Sequence, residues 1–185
     1  LRMFQDKVFL KALKNNFVFL IFQVPIMIIL GLVLAFLLNS KDLKGRKFFQ
    51  LALFLPSVMS LVSYAIIFKM MFQIGGVINN GLLATGILQH PIHWLNHPIW
   101  AKVTVIIALC WRWTGYNMIF YLSGLQNISY DTLEAAAIDG ANSFQTLFKV
   151  VIPQLKPVIL FTTITSTIGT IQLFDEVVNL TGGGP

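Results

Sequence analysis

Residues 129–157 read SYDTLEAAAIDGANSFQTLFKVVIPQLKP. Asp131 followed three residues later by Glu134 makes a capping-box-like start, in which short polar side chains serve the free amides of a first helical turn. An alanine-rich stretch of barely two turns follows over 133–139, and Gly140 supplies a left-handed stop that a side chain would oppose. A second helix is expected to start near Asn142 or Ser143 and to end before Pro153, with Phe144, Leu147, Phe148 and Val151 on one face. A helix this short is marginal in water by itself. Some other surface must bury it, and its small alanine face permits close approach to a partner not encoded here.

The flanks set the environment of this segment. Of 185 residues, 56% are hydrophobic and 11% charged, with a mean hydropathy of +0.77. A soluble domain carries about 25% charged residues to cover its surface, so a water-soluble globule is excluded. Disorder is excluded too, because disordered chains are poor in apolar residues. The formal charge of +6 belongs, in so apolar a chain, to basic residues flanking membrane spans, which makes lipid rather than nucleic acid the expected contact. Cys110 is the single cysteine, so no internal disulfide and no multi-cysteine metal site can form.

A bilayer core about 30 Å thick takes about 20 helical residues to cross. Four segments meet this, at about 17–38, 48–72, 99–122 and 158–178. Helix is the only reading, since lipid cannot satisfy the backbone of an open strand. The fold class is therefore all-α, a polytopic transmembrane helical bundle with about four spans visible. Pro25 and Pro56 are expected to kink their helices. The first run is too long for a signal peptide and has no A-x-A-like cleavage site. Because the chain starts at Leu1 and stops at Pro185, flanking segments are expected on both sides.

The basic residues lean toward one orientation. Lys41, Lys44, Arg46 and Lys47 precede the second span, while Lys149 and Lys156 follow the third. Opposite them are Arg2, Lys7, Lys11 and Lys14, with Lys69 and Lys102 at the membrane edges; Lys7, Lys11 and Lys14, at i, i+4 and i+7, read as one face of a short interfacial helix. Loops 39–47 and 126–157 are thus expected to be cytoplasmic. The stretch 73–99 has no Lys or Arg, as an external loop should, and Trp94 and Trp100 are placed for the headgroup level.

The last two spans are polar for their depth. Trp111, Thr114, Gly115 and Met118 fall at i, i+3, i+4 and i+7, and Ser166 and Thr170 lie four apart, so each set forms a stripe. Such stripes suit a sugar-like solute, which stacks on rings and hydrogen-bonds to hydroxyls. They equally suit helix–helix packing, and spacing alone favours packing. Arg112 near a bilayer centre costs at least about 2.5–3.5 kcal/mol and needs a partner or water. Asp175 and Glu176, near the far end of the fourth span, are about eight residues from its depth, roughly 12 Å, so a missing helix or another subunit is an equal source of the partner. His90, His93 and His97 read as histidines of a polar external turn rather than a metal site. Gly182, Gly183 and Gly184 lack the Lys-Ser/Thr of a phosphate cradle and read as a flexible external turn. Neither a nucleophile–base pair nor a P-loop is present, so this chain itself is not expected to hydrolyse ATP.

One resemblance draws these features together. EAAAIDGA at 134–141, then Phe148, Ile152, Pro153, Leu155 and Pro157, resembles the EAA loop of binding-protein-dependent ABC importer permeases. Val150 and Ile152 stand where that family favours Ile and Leu. The ending LTGGGP at 180–185 is similar to the L-T-x-G-G-P of the sugar-uptake branch, as are Lys44-Gly45-Arg46, Phe48-Phe49 and Leu55-Pro56. The likeness runs along essentially the whole chain, to maltose- and glycerol-phosphate-type permeases.

The resemblance implies a type I importer permease fold in a bacterial cytoplasmic membrane, with a span before Leu1 and at least one after Pro185. It implies a coupling helix in which Glu134, Ala135, Ala136, Asp139, Gly140 and Ala141 contact a groove on a separate ATPase subunit dimer. ATP-driven closure of that dimer would rock the helices between inward- and outward-facing states. It further implies a second permease subunit, an extracellular or periplasmic solute-binding protein, and a sugar or polyol solute, with no cofactor and no metal. The solute-lining positions of the maltose-type permease correspond to Trp111, Thr114, Gly115, Met118, Ser166 and Thr170, the stripes found by spacing. In many such importers one of the two permeases lines the solute, and this chain is either that one or its partner. The rival readings are an ion-coupled secondary transporter, with Arg112, Asp175 and Glu176 as its candidates, and a bundle without transport function.

Overall fold

The computed structural model describes residues 5–40 and 43–184, so Arg2, Lys41 and Pro185 lie outside the described residues. Every regular element among the described residues is helical. The elements are α1 (Lys7–Leu38), α2 (Arg46–Val58), α3 (Leu61–Phe72), α4 (Val77–Ala84), α5 (Pro98–Gln126), α6 (Tyr130–Ile138), α7 (Ser143–Thr146), α8 (Ile152–Ile171) and α9 (Asp175–Thr181). A π-turn over Leu147–Val151 joins α7 to α8. Four helical stretches are long and apolar enough to cross a membrane: Lys7–Leu38, Leu61–Ala84, Pro98–Gln126 and Ser143–Ile171.

The boundaries differ from the sequence reading in instructive ways. Lys7, Lys11 and Lys14 do not form a separate interfacial helix; they belong to α1, which runs unbroken through Pro25. The segment expected as one span over 48–72 is two helices, α2 and α3, interrupted at Met59 and Ser60. Pro56 lacks an amide to donate, and Ser57 Oγ donates to Phe54 O at 2.7 Å, so a side chain takes up a carbonyl just before the break. The segment expected over 158–178 stops at Ile171, and Asp175 and Glu176 open the separate helix α9. Their charges suit its N-terminus, where the free amides concentrate positive potential. Pro98 opens α5 at its first position, where its missing N–H is of no consequence.

The chain forms two compact units. The first contains the stretch up to Gln23, Val58–Trp111 and the stretch from Gly169. Its core is aromatic. Tyr64, Phe68 and Phe72 line one face of α3, Phe68 meets Trp111 at 5.3 Å between ring centroids, and Phe72 meets Trp94 at 5.5 Å. Trp94 is buried, edge-on to Trp100 at 4.8 Å. Fully buried Asn79 explains how this unit's loop is held. Its Nδ2 donates to Ile74 O at 3.1 Å and Ile92 O at 2.9 Å, while Oδ1 accepts from Ile92 N and Trp94 Nε1, both at 3.0 Å.

The second unit contains Val24–Ser57 and Arg112–Ile168. Ala35, Leu38, Met118, Tyr121, Leu122, Leu125, Val151 and Leu155 form its core. Small residues set the helix spacing. A Cβ on Gly115 would collide with the backbone carbonyl of Leu53, and one on Gly124 would press on Leu155 and Val158. Outward faces carry exposed Ile29, Leu37, Phe161 and Ile164, a surface that only lipid or partner helices can cover.

Candidate functional site

Two places hold the residues singled out by the sequence. The first is the loop helix α6. It begins at Tyr130, with Ser129 as N-cap, rather than at Asp131; Asp131 falls in its first turn and Ser129 Oγ pairs with Thr132 Oγ1 at 2.6 Å. Its end is locally determined. Gly140 takes φ +76°, Gly140 N donates to Ala137 O at 3.0 Å, and Ala141 N donates to Ala136 O at 3.0 Å. These two bonds are the Schellman pattern, which serves the last carbonyls of a helix and needs a left-handed residue at its turn.

Next, Asn142 caps α7 with a complete capping box. Gln145 N donates to Asn142 Oδ1 at 2.9 Å and Asn142 N to Gln145 Oε1 at 3.0 Å. The helix expected to stop before Pro153 does not stop. It widens into the π-turn, where Ile152 N donates to Leu147 O, and then continues as α8 into the span. Proline at 153 has no amide for the carbonyl four residues back, and the wider turn re-registers the bonds around it.

Leu133 and Leu147 pack against the second unit's core, and Val151 lies within it. Ala136 is buried, whereas Glu134, Ala135, Asp139 and Gly140 are exposed and Ala141 is half-buried. Beside them stand Ile138 (80% exposed), Phe144 (70%) and Phe148 (51%). The Phe144 and Phe148 rings are 4.5 Å apart. The loop therefore presents an acidic and apolar outer face on a firmly seated base.

The second place is the polar face of α5 and α8. In the second unit these helices pair antiparallel, Tyr121 Oη and Thr162 Oγ1 meeting at 2.7 Å and Asn117 Nδ2 reaching Ser166 Oγ at 3.5 Å. Thr162 Oγ1 also lies 3.1 Å from Val158 O and 3.0 Å from Ile159 O. Its one proton serves the backbone there, so Tyr121 is the donor between helices. Thr114 is buried, Gly115 is pressed on Leu53, and Met118 is part of the core. Arg112 is buried, its guanidinium 5.2 Å from the centroid of the Trp113 ring. In the first unit Trp111 is 42% exposed and Thr170 is buried. The sequence stripe missed Asn117 and Tyr121, although their four-residue spacing matches that of Thr162 and Ser166.

The first unit also holds a cavity of about 620 Å3 lined by Lys69, Gln73, His93, Asn96, Thr181 and Gly182, among others. The glycines beside it are an ordered helix stop: Gly182 has φ +68° and donates to Val178 O at 2.9 Å. Among the described residues no group of three or more metal-ligating side chains converges.

Four membrane-length helices, with the exposed loop helix α6 between the last two, define a polytopic membrane component. The chain matches the family of binding-protein-dependent transport system inner membrane components over residues 9–185, and it belongs to that family. This is a family of transport permeases, not of enzymes. The lactose transport system permease protein LacF of Rhizobium radiobacter is 58% identical over 182 residues, covering 98% of this chain and 61% of that protein. The arabinooligosaccharides permease AraP of Bacillus subtilis is 35% identical over 170 residues, 91% of this chain and 54% of that one. Among solved structures, a bacterial ABC transporter involved in import of the acidic polysaccharide alginate superimposes with a TM-score of 0.82 at 27% identity. That match covers 97% of this chain and 63% of the other. The chain thus spans about three-fifths of the length of these relatives or less.

Proposed function

We propose that the full-length protein is the permease subunit of an ATP-driven importer that carries a saccharide or related polyol across the bacterial cytoplasmic membrane. A second permease completes the pathway, a separate ATPase dimer supplies the force, and an external binding protein delivers the solute. Glu134, Ala135, Asp139, Gly140 and Ala141 meet the ATPase, while buried Ala136 seats α6 on its base. Trp111, Thr114, Ser166 and Thr170 line the solute path; Gly115 and Met118 belong to the same face and set its helix spacing. The external binding protein docks on the side that holds Lys69, His93 and Gly182.

The observation that carries this reading is the exposed α6, closed by Gly140 and packed beside a helix that runs on into the span. Displacing α6 moves the α7–α8 rod with it, and the rod bears Thr162, Ser166 and Thr170. Force applied at the loop is thereby delivered to the polar face, which is what alternating access requires.

The test uses the complete importer in proteoliposomes. With Ala135→Cys, a short bifunctional reagent is expected to link the permease to the ATPase, and lactose uptake is expected to require ATP. Uptake that continues on a proton or sodium gradient after ATP is removed overturns the reading in favour of an ion-coupled transporter.

A further inference from the structure

The first unit holds another cavity, of about 210 Å3, whose wall is polar at one level and apolar at the next. Asn15 and Asn16 of α1 and Lys102 of α5 line it, all three half-buried. One turn further along the same helices, Phe19 and Val105 line it, 4% and 1% exposed. The polar residues sit where the apolar runs begin, Asn15 and Asn16 directly before Phe17 and Lys102 one turn after Pro98. The cavity thus opens at the membrane edge, on the side proposed as external, polar toward the headgroups and apolar toward the hydrocarbon. Phe174, also in its lining, is 68% exposed, so apolar surface continues outward from the opening.

Charge sets this cavity apart from a packing defect. Among the described residues Lys102 is the one charged side chain in its lining, and no Asp or Glu shares it. Asn16 spends one amide hydrogen on Ile171 O at 3.3 Å and keeps the other. An ammonium with two carboxamides beside it offers donors to an anion, and a phosphate ester matches them. Clefts that enclose a whole small molecule measure about 300–1,000 Å3, so this smaller one takes a headgroup and leaves the rest of its owner outside. A basic pocket between membrane helices at headgroup depth suits an anionic lipid, and acyl chains cover the apolar rim.

We infer that Lys102, Asn15 and Asn16 hold the phosphate of an anionic phospholipid, whose acyl chains lie against the apolar surface around Phe174. Segments α1, α5 and α9 all contribute to the cavity, so the lipid ties together three parts of the chain that are far apart in sequence. A ligand bound by the folded form alone stabilises it by mass action, and the first unit gains that stability from the membrane side. The inference goes beyond the import reading and is independent of it: it needs a bilayer, but no particular solute, ATPase or binding protein.

The experiment uses the full-length permease assembled with its ATPase and binding protein, purified in detergent. The probes are phosphatidylglycerol, phosphatidylcholine and water-soluble glycerol phosphate. Lipid retention, read by native mass spectrometry across a titration, is expected to favour phosphatidylglycerol over phosphatidylcholine. Lys102→Gln is expected to weaken phosphatidylglycerol retention about tenfold or more, the effect of losing a hydrogen bond to a charged group, while Lys102→Arg keeps it. Lys11→Gln, which removes an exposed lysine outside the cavity lining, is expected to change it scarcely. Phosphatidylglycerol is also expected to raise the thermal-unfolding midpoint of wild type more than that of Lys102→Gln. Equal losses from Lys102→Gln and Lys11→Gln would mean diffuse attraction, and displacement by glycerol phosphate would mean a soluble-anion site. No preference for phosphatidylglycerol in wild type would mean a lysine that reaches water or a cavity filled by another part of the assembly. Each of these overturns the inference. Should Lys102→Gln fail to assemble, Asn15→Ala reads the same site, with an expected loss of about fivefold, that of one hydrogen bond, and an unchanged titration there overturns it equally.

Discussion

Replacing Gly140 isolates what the turn after α6 contributes. At φ +76° this residue lies in the left-handed region, and a Cβ there would meet nothing within 4 Å. Substitution therefore causes no collision within the chain; its cost is backbone strain, about 1–2 kcal/mol for an ordinary L-residue. Valine, being β-branched, falls at the upper end, and asparagine, which tolerates this region, near the bottom. The two capping bonds, from Gly140 N and Ala141 N, are what that strain opposes. A nine-residue helix has little stability of its own to lose. A cost of about 1–2 kcal/mol shifts its formed-to-frayed ratio by about 5- to 30-fold. Hydrogen exchange at residue 140 and Ala141 is expected to accelerate by that factor in Gly140→Val, by less in Gly140→Ala, and scarcely in Gly140→Asn. If strain is what matters, solute-stimulated ATP hydrolysis falls in the same order. If the docked face tolerates no side chain at all, asparagine uncouples as fully as valine. Unchanged exchange in Gly140→Val would refute the reasoning about the turn.

Other expectations concern packing and the loop. Thr162→Val should destabilise the detergent-solubilised protein more than Tyr121→Phe. The first strands a buried phenol at about 1–3 kcal/mol, the second removes one interhelical bond worth about 0.6 kcal/mol, and thermal unfolding of both variants checks the order. Gly115→Ala should cost about 1–3 kcal/mol or more, because the obstacle is the Leu53 backbone and cannot rotate away; melting temperature and assembly yield report it. Asn79→Ala should leave the buried Ile92 amide and Trp94 indole without their acceptor. Limited proteolysis is then expected to cut loop 73–97 at least tenfold faster, and an unchanged cleavage rate would remove Asn79 from its role as the loop's anchor.

Much of the architecture was readable beforehand, for reasons that can be named. Long apolar runs with few charges admit only membrane helices, so their number and class follow from composition. The close of α6 was readable because it depends on a glycine and on bonds spanning five residues. Boundaries were less accessible. Pro153 suggests a stop, but a π-turn carries the helix past it; nothing in the sequence near 172–174 marks the break that separates Asp175 and Glu176 from the span. The pattern Asp-x-x-Glu points to Asp131 as the cap, whereas Ser129 holds that position.

The candidate solute face was legible only in part. Spacing placed Thr114, Gly115, Met118 and Ser166 on stripes, yet it treated them alike. In the folded chain Met118 fills the core, Gly115 admits a neighbouring backbone, and Ser166 faces Asn117, a residue the stripe left out.

By itself the sequence determined the solvent, the helical class and the local turn at Gly140, because each depends on the transfer energy of side chains or on contacts a few residues long. Only the tertiary structure decided which polar groups face one another and which glycine is a contact rather than a hinge. Periodicity names the face of a helix, but the partner lying on it is chosen by packing between segments tens of residues apart.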